Sequence, residues 1–156
     1  MGIDILRLGV PDAREHICRQ VLSALPDWFG IPEAIEQYAK DCRALEMHTA
    51  FDGGAPVGFL ALKEASETAL DMHVLGVTIG YQKRGIGRRF CALAESAARA
   101  GGKRFVTVMT LDDTHPDPYY ARTRAFYRAM GYLPLLRLPT LWGEENPALV
   151  LIKPVV

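Results

Sequence analysis

The chain has 156 residues, 49% of them hydrophobic and 23% charged, with 18 Lys and Arg against 18 Asp and Glu. That length fits one domain over 1–156 whose core needs neither disulfides nor metals. A net charge of zero speaks against a surface built to grip nucleic acid or an anionic membrane, and neither partner is expected.

Residues 3–8 alternate apolar and polar and read as a strand. Pro11 opens a helix over 12–25, in which Ile17, Val21 and Leu25 recur every four residues. Pro26 and Pro32 interrupt the chain before a second helix over 32–43. Residues 47–52 and 56–63, joined by Gly53-Gly54, read as a hairpin, because a glycine pair supplies the positive φ of a tight turn. A further strand is expected over 69–79.

The clearest helix follows over 85–100, with an apolar stripe of Ile86, Phe90, Leu93, Ala94 and Ala97 and a Gly101-Gly102 stop. A short buried strand over 105–110 comes next. A helix over 118–130 then has Asp117 as N-cap, Pro118 in its first turn and Gly131 as terminator. Strands over 132–138 and 148–153 close the chain around a loop at 139–147. Hairpins mixed with crossovers predict an α/β, α+β-like mixed sheet of six to seven strands flanked by about four helices.

Cys18, Cys42 and Cys91 are odd in number and lack metal-ligand spacing, so reduced, buried thiols, a reducing cytoplasmic setting and no metal site are expected. The start of the chain shows no secretion signal, and no run approaches the roughly 18 apolar residues of a membrane span.

Charge is uneven along the chain. Residues 1–53 hold nine acids and five bases, whereas residues 82–104 hold seven bases and one acid, Glu95. Within the basic stretch, Gly80-Tyr81-Gln82-Lys83-Arg84 joins the end of a strand to a helix that opens at Gly85. A helix start leaves about four N–H groups unpaired and carries roughly half a positive charge, which suits a phosphate. Gly85 and Gly87 let a diphosphate approach the backbone, and Lys83, Arg84, Arg88 and Arg89 add formal charge. A dinucleotide fingerprint would need glycine where Phe90 stands, and the Gly-Lys-Ser/Thr of a P-loop is absent. Read alone, the same glycines also suit a plain strand-to-helix turn.

The pattern Val77-x-x-x-x-Gln82-x-x-Gly85-x-Gly87 resembles the acyl-CoA signature of the GNAT superfamily of N-acetyltransferases. Residues 125–132, Ala-Phe-Tyr-Arg-Ala-Met-Gly-Tyr, resemble that family's second motif. The strand segment Pro56-Val57-Gly58-Phe59 is also typical, and the element order is similar from end to end.

The resemblance implies that acetyl-CoA is the co-substrate and an amine the acceptor. Leu75, Val77, Gln82, Lys83, Arg84, Gly85, Ile86, Gly87 and Arg88 would hold the CoA, with a backbone N–H near Val77 polarising the thioester carbonyl. Tyr127 matches the acid that protonates the departing sulfur. Asp71 stands where relatives carry the glutamate base, one methylene shorter. It is placed ahead of His73, which shares its strand face and could act with it as a pair. A hydrogen-bonded structural pair is the alternative for these two, and core packing the alternative for Tyr127.

His48 and His115 are assigned to surface or loops. Tyr120 replaces the family's CoA-binding asparagine, and Ile79 a common proline. Trp142, in the 139–147 loop, is either a substrate wall with Tyr120 or a cap on the core. A homodimer follows family habit. The competing expectation is a non-catalytic acyl-CoA sensor or regulatory module on the same fold.

Overall fold

The computed structural model describes residues 2–155. The chain order is β1 (Asp4–Arg7), α1 (Pro11–Ser23), α2 (Pro32–Cys42), β2 (Glu46–Asp52), β3 (Ala55–Glu64) and β4 (Ala69–Val77). A 3-10 turn at Ile79–Tyr81 leads to α3 (Ile86–Ala100), β5 (Phe105–Leu111), α4 (Pro118–Ala129), β6 (Leu133–Leu138) and β7 (Ala148–Pro154). The strands form a seven-stranded mixed sheet in the order β1-β2-β3-β4-β5-β7-β6. Pairing of β4 with β5 is parallel, and that of β1 with β2, β2 with β3, β5 with β7 and β6 with β7 is antiparallel. Among the described residues no helix is long and apolar enough to cross a membrane.

The chain groups into two compact units. One runs up to Lys63 and resumes over His73–Ala92; the other takes Glu64–Met72 and Leu93 onward. In the first, Ile17, Val21 and Leu25 project from the α1 region into a core shared with Ile35, Ala39, Met47, Phe59 and Val74. The four-residue spacing thus describes a buried stripe. Arg14 of α1 donates to the carbonyls of Cys42 and Arg43, which occupies oxygens that the end of α2 leaves open. The hairpin turns at Gly53-Gly54 as expected: Asp52 pairs with Ala55, and Gly53 has a φ of 63°.

Gly58 on β3 marks a close backbone approach. A Cβ there would lie 2.9 Å from the carbonyl oxygen of Gly76. In the second unit β5 pairs with β7 from Phe105↔Pro154 to Leu111↔Ala148, and Val106, Val108, Leu149 and Leu151 are buried. Asp117 caps α4 by accepting from Tyr119 N at 2.8 Å and Tyr120 N at 3.3 Å.

Two expectations need correction. The strand read as 69–79 ends at Val77, and Ile79, which is 57% exposed, belongs to the 3-10 turn. The apolar stripe of α3 is Ile86, Phe90, Ala94 and Ala98, all buried, while Leu93 and Ala97 are only half-buried at its margin.

Candidate active site

The basic turn lies wholly in the first unit. Thr78 donates its N–H and its hydroxyl to the carbonyl of Val57, which pins the end of β4 to β3. The Gln82 side chain donates back to the Val77 carbonyl at 2.9 Å, and the Gln82 N–H bonds the Ile79 carbonyl at 3.3 Å. Gln82 therefore ties the turn together, and its backbone N–H is already engaged.

Lys83 and Gly85 take φ of 62° and 84°. Such turns gather successive N–H groups into an anion-binding concavity. At the start of α3 the Arg89 N–H donates to the Gly85 carbonyl at 3.1 Å. Ile86, Gly87 and Arg88 are thus the first-turn residues whose N–H groups have no helical acceptor. Gly85 is needed for its φ; a Cβ there would meet nothing within 4 Å.

Charge is distributed unevenly around this turn. Among the described residues Lys83 and Arg88 have no ion-pair partner, and both are exposed. The Arg84 guanidinium lies 4.9 Å from the centre of the Tyr81 ring, and the Tyr81 hydroxyl donates to Asp52. The bond to Asp52, reinforced by burial, raises the Tyr81 pKa above its usual 10.0. Arg89 instead donates to the Ile3 carbonyl at 2.9 Å, which ties it to the start of the chain rather than to the turn.

On β4 the pleat places Asp71, His73, Leu75 and Val77 at half-buried positions, alternating with buried Met72, Val74 and Gly76. Within the second unit, the ladder to β5 runs from Ala69↔Phe105 to Met72↔Val108. There Asp71 accepts a 2.6 Å hydrogen bond from Thr107 Oγ1. His73, in the first unit, has a different carboxylate: its Nε2 lies 2.8 Å from Asp41 Oδ2 on α2. The Tyr38 ring meets the imidazole edge-on, centroids 5.5 Å apart. Sequence reading paired His73 with Asp71 and did not single out Asp41.

The remaining candidates lie in the second unit. Tyr127 is buried, with its ring 5.2 Å from Phe126 and 5.8 Å from Tyr132. Tyr120 is half-buried in the first turn of α4, and Trp142 is 36% exposed in the loop before β7. His48 departs from its surface assignment, since it is half-buried in mid-β2 with Nε2 2.7 Å from Glu46. His115 is in a loop as expected, and its Nδ1 is buried with no partner among the described residues.

The GNAT acetyltransferase domain model matches residues 43–134. A search of curated proteins finds no match. Among solved structures, a GNAT-family protein from Desulfovibrio desulfuricans superposes with a TM-score of 0.81 at 18% identity, covering 99% of this chain and 100% of that one. An aminoglycoside 6'-N-acetyltransferase complexed with coenzyme A gives a TM-score of 0.75 at 18% identity, covering 100% and 98%. The ribosomal-protein-S18-alanine N-acetyltransferase from Escherichia coli gives 0.74 at 14%, covering 99% and 94%. At these identities the superpositions speak for the fold, and the family match covers more than half of the sequence. The chain belongs to the GNAT acetyltransferase family.

Proposed function

We propose that the protein transfers an acetyl group from acetyl-CoA to a primary amine of a small molecule or peptide, by direct attack in a ternary complex. The observation that carries this reading is the start of α3. Among the described residues it offers first-turn N–H groups at Ile86–Arg88 without a helical acceptor, left-handed backbone at Lys83 and Gly85, and exposed cations without an ion-pair partner at Lys83 and Arg88. This is the chemistry a diphosphate requires. Lys83 to Arg88 would hold the CoA, with Gln82 acting by bracing the turn. Backbone N–H groups near Leu75 and Val77 would polarise the thioester carbonyl and stabilise the charge that develops on it. Base catalysis is assigned to β4, from Asp71 or His73, and protonation of the leaving sulfur to Tyr127. Tyr120 and Trp142 are assigned to the acceptor side.

The solved relatives named above act on an aminoglycoside and on a ribosomal protein. Their names therefore leave both acceptor classes in play for this chain. Thiol release with a chromogenic disulfide across a panel of polyamines, aminoglycosides and peptide N-termini tests the reading. Amine-dependent release is expected; tight acetyl-CoA binding without release to any amine would favour a sensor.

A further inference from the structure

We propose that Asp41 and His73 form a carboxylate–imidazole dyad in which His73 is the catalytic base and Asp41 its positioning residue. The inference rests on the amine-acetylation reading above and selects between the two bases that reading leaves open. Asp41 Oδ2 lies 2.8 Å from His73 Nε2, and its other oxygen, Oδ1, accepts from Gln37 Nε2 at 2.9 Å. Gln37 sits one helical turn before Asp41, so α2 fixes the carboxylate while the carboxylate fixes the ring. The edge-on contact with Tyr38, itself edge-on to Phe29 at 6.0 Å, restricts the imidazole from a second direction.

An ionised carboxylate only accepts, so a neutral imidazole beside it carries its proton on Nε2. The lone pair is then on Nδ1, which makes no hydrogen bond to any described residue. A histidine ordered in this way, with its tautomer set by an acid, is the arrangement that general-base catalysis exploits. Its place on the strand is suitable: His73 stands two residues before Leu75 and four before Val77, on the same half-buried face of β4. Asp71 already accepts from Thr107.

In the reaction the acceptor arrives as an ammonium ion. Its first proton passes to His73 Nδ1 and from there to solvent, and the imidazolium is held meanwhile against Asp41. The freed nitrogen forms the C–N bond as the C–S bond breaks. The sulfur leaves with the proton assigned to Tyr127, and the second proton of the nitrogen replaces it.

The test combines Asp41→Asn with His73→Ala, singly and together, with nitrogen NMR of histidine-labelled protein without substrate. Wild-type His73 is expected as the Nε2-protonated tautomer, and Asp41→Asn to change that ratio. The turnover of Asp41→Asn should fall about tenfold or more while KM for acetyl-CoA stays within about twofold, and Asp41→Glu should recover part of the rate. Added to His73→Ala, Asp41→Asn should cost nothing further. An Asp41→Asn variant with wild-type turnover, an equal loss in both backgrounds, or an unchanged tautomer ratio would overturn the dyad. Absence of amine-dependent release from the wild type would instead count against acetyl transfer to amines.

Discussion

Lys83 holds a φ of 62° without being glycine, a conformation that costs a side-chain-bearing residue about 1–2 kcal/mol. Nothing in the sequence marks it, because a turn of this hand is ordinarily announced by glycine or asparagine. Gly85, at 84°, is legible for that reason. Gly85→Ala is expected to weaken acetyl-CoA binding, and to cost about 1–2 kcal/mol of stability read by denaturant titration. Tyr127→Phe removes the proposed acid and leaves the ring contacts in place; its turnover should fall roughly 100-fold with acetyl-CoA affinity nearly unchanged. Undiminished turnover would remove Tyr127 from the chemistry. The partner of His73 was not legible, since Asp41 lies 32 positions away and only the meeting of α2 with β4 brings it there.

At the scale of elements, local signals served best where the chemistry is local. Gly53-Gly54 located the hairpin turn, and Asp117 located the start of α4 because its carboxylate reaches N–H groups two and three residues on. Asp117→Ala should lower the melting temperature by about 2–4 °C, which corresponds to a cap worth about 1 kcal/mol. The end of β4 is not legible in the sequence, because Ile79 continues an apolar, β-branched pattern, yet its backbone turns toward the helix. Gly58→Ala would drive a methyl group into the Gly76 carbonyl of the facing strand segment, and a loss of about 1–3 kcal/mol is expected. At the sheet edge Pro134 pairs with Leu151, and the register of β6 on β7 then shifts between Pro134 and Leu136, so that Leu135 is skipped in the ladder. A proline and a bulge blunt an edge strand whose Leu133, Leu135 and Leu136 are exposed.

Helices α1 and α2 are also joined electrostatically. Arg19 bonds Glu15 at 2.9 Å and Glu36 at 2.7 Å. Bonds from Arg19 and Arg43 hold the Glu15 carboxyl below its usual 4.5, and a bond from Arg19 does the same for Glu36. Depressed carboxyl values mean that this stabilisation is complete above about pH 4.5 and disappears as the pH falls through the lower folded values. Arg19→Leu should therefore lower the melting temperature at pH 7 and have no effect well below pH 4, with a small difference because the pair is exposed.

For the molecule as a whole, the order of elements and the seven-stranded sheet follow from patterns spread over the entire chain, and the family match agrees with them. The three cysteines are free and buried, as their number and spacing indicated. Contact with the Cys42 thiol, and then burial, push the Cys18 thiol well above its ordinary range, so it stays protonated. Ellman titration of the folded protein should accordingly be slow and become rapid in denaturant. The acceptor proposed above is not legible in the sequence, since no short motif encodes a substrate surface.

In the function proposed above, the turn from Lys83 to Arg88 grips the diphosphate of acetyl-CoA. Calorimetric titration of the protein with acetyl-CoA and, separately, with acetyl-pantetheine, which shares the thioester arm but lacks the nucleotide diphosphate, tests it directly. Acetyl-CoA should bind at least about 100-fold more tightly, a difference of about 2.7 kcal/mol. Equal affinity for the two, or no heat with either, would contradict it.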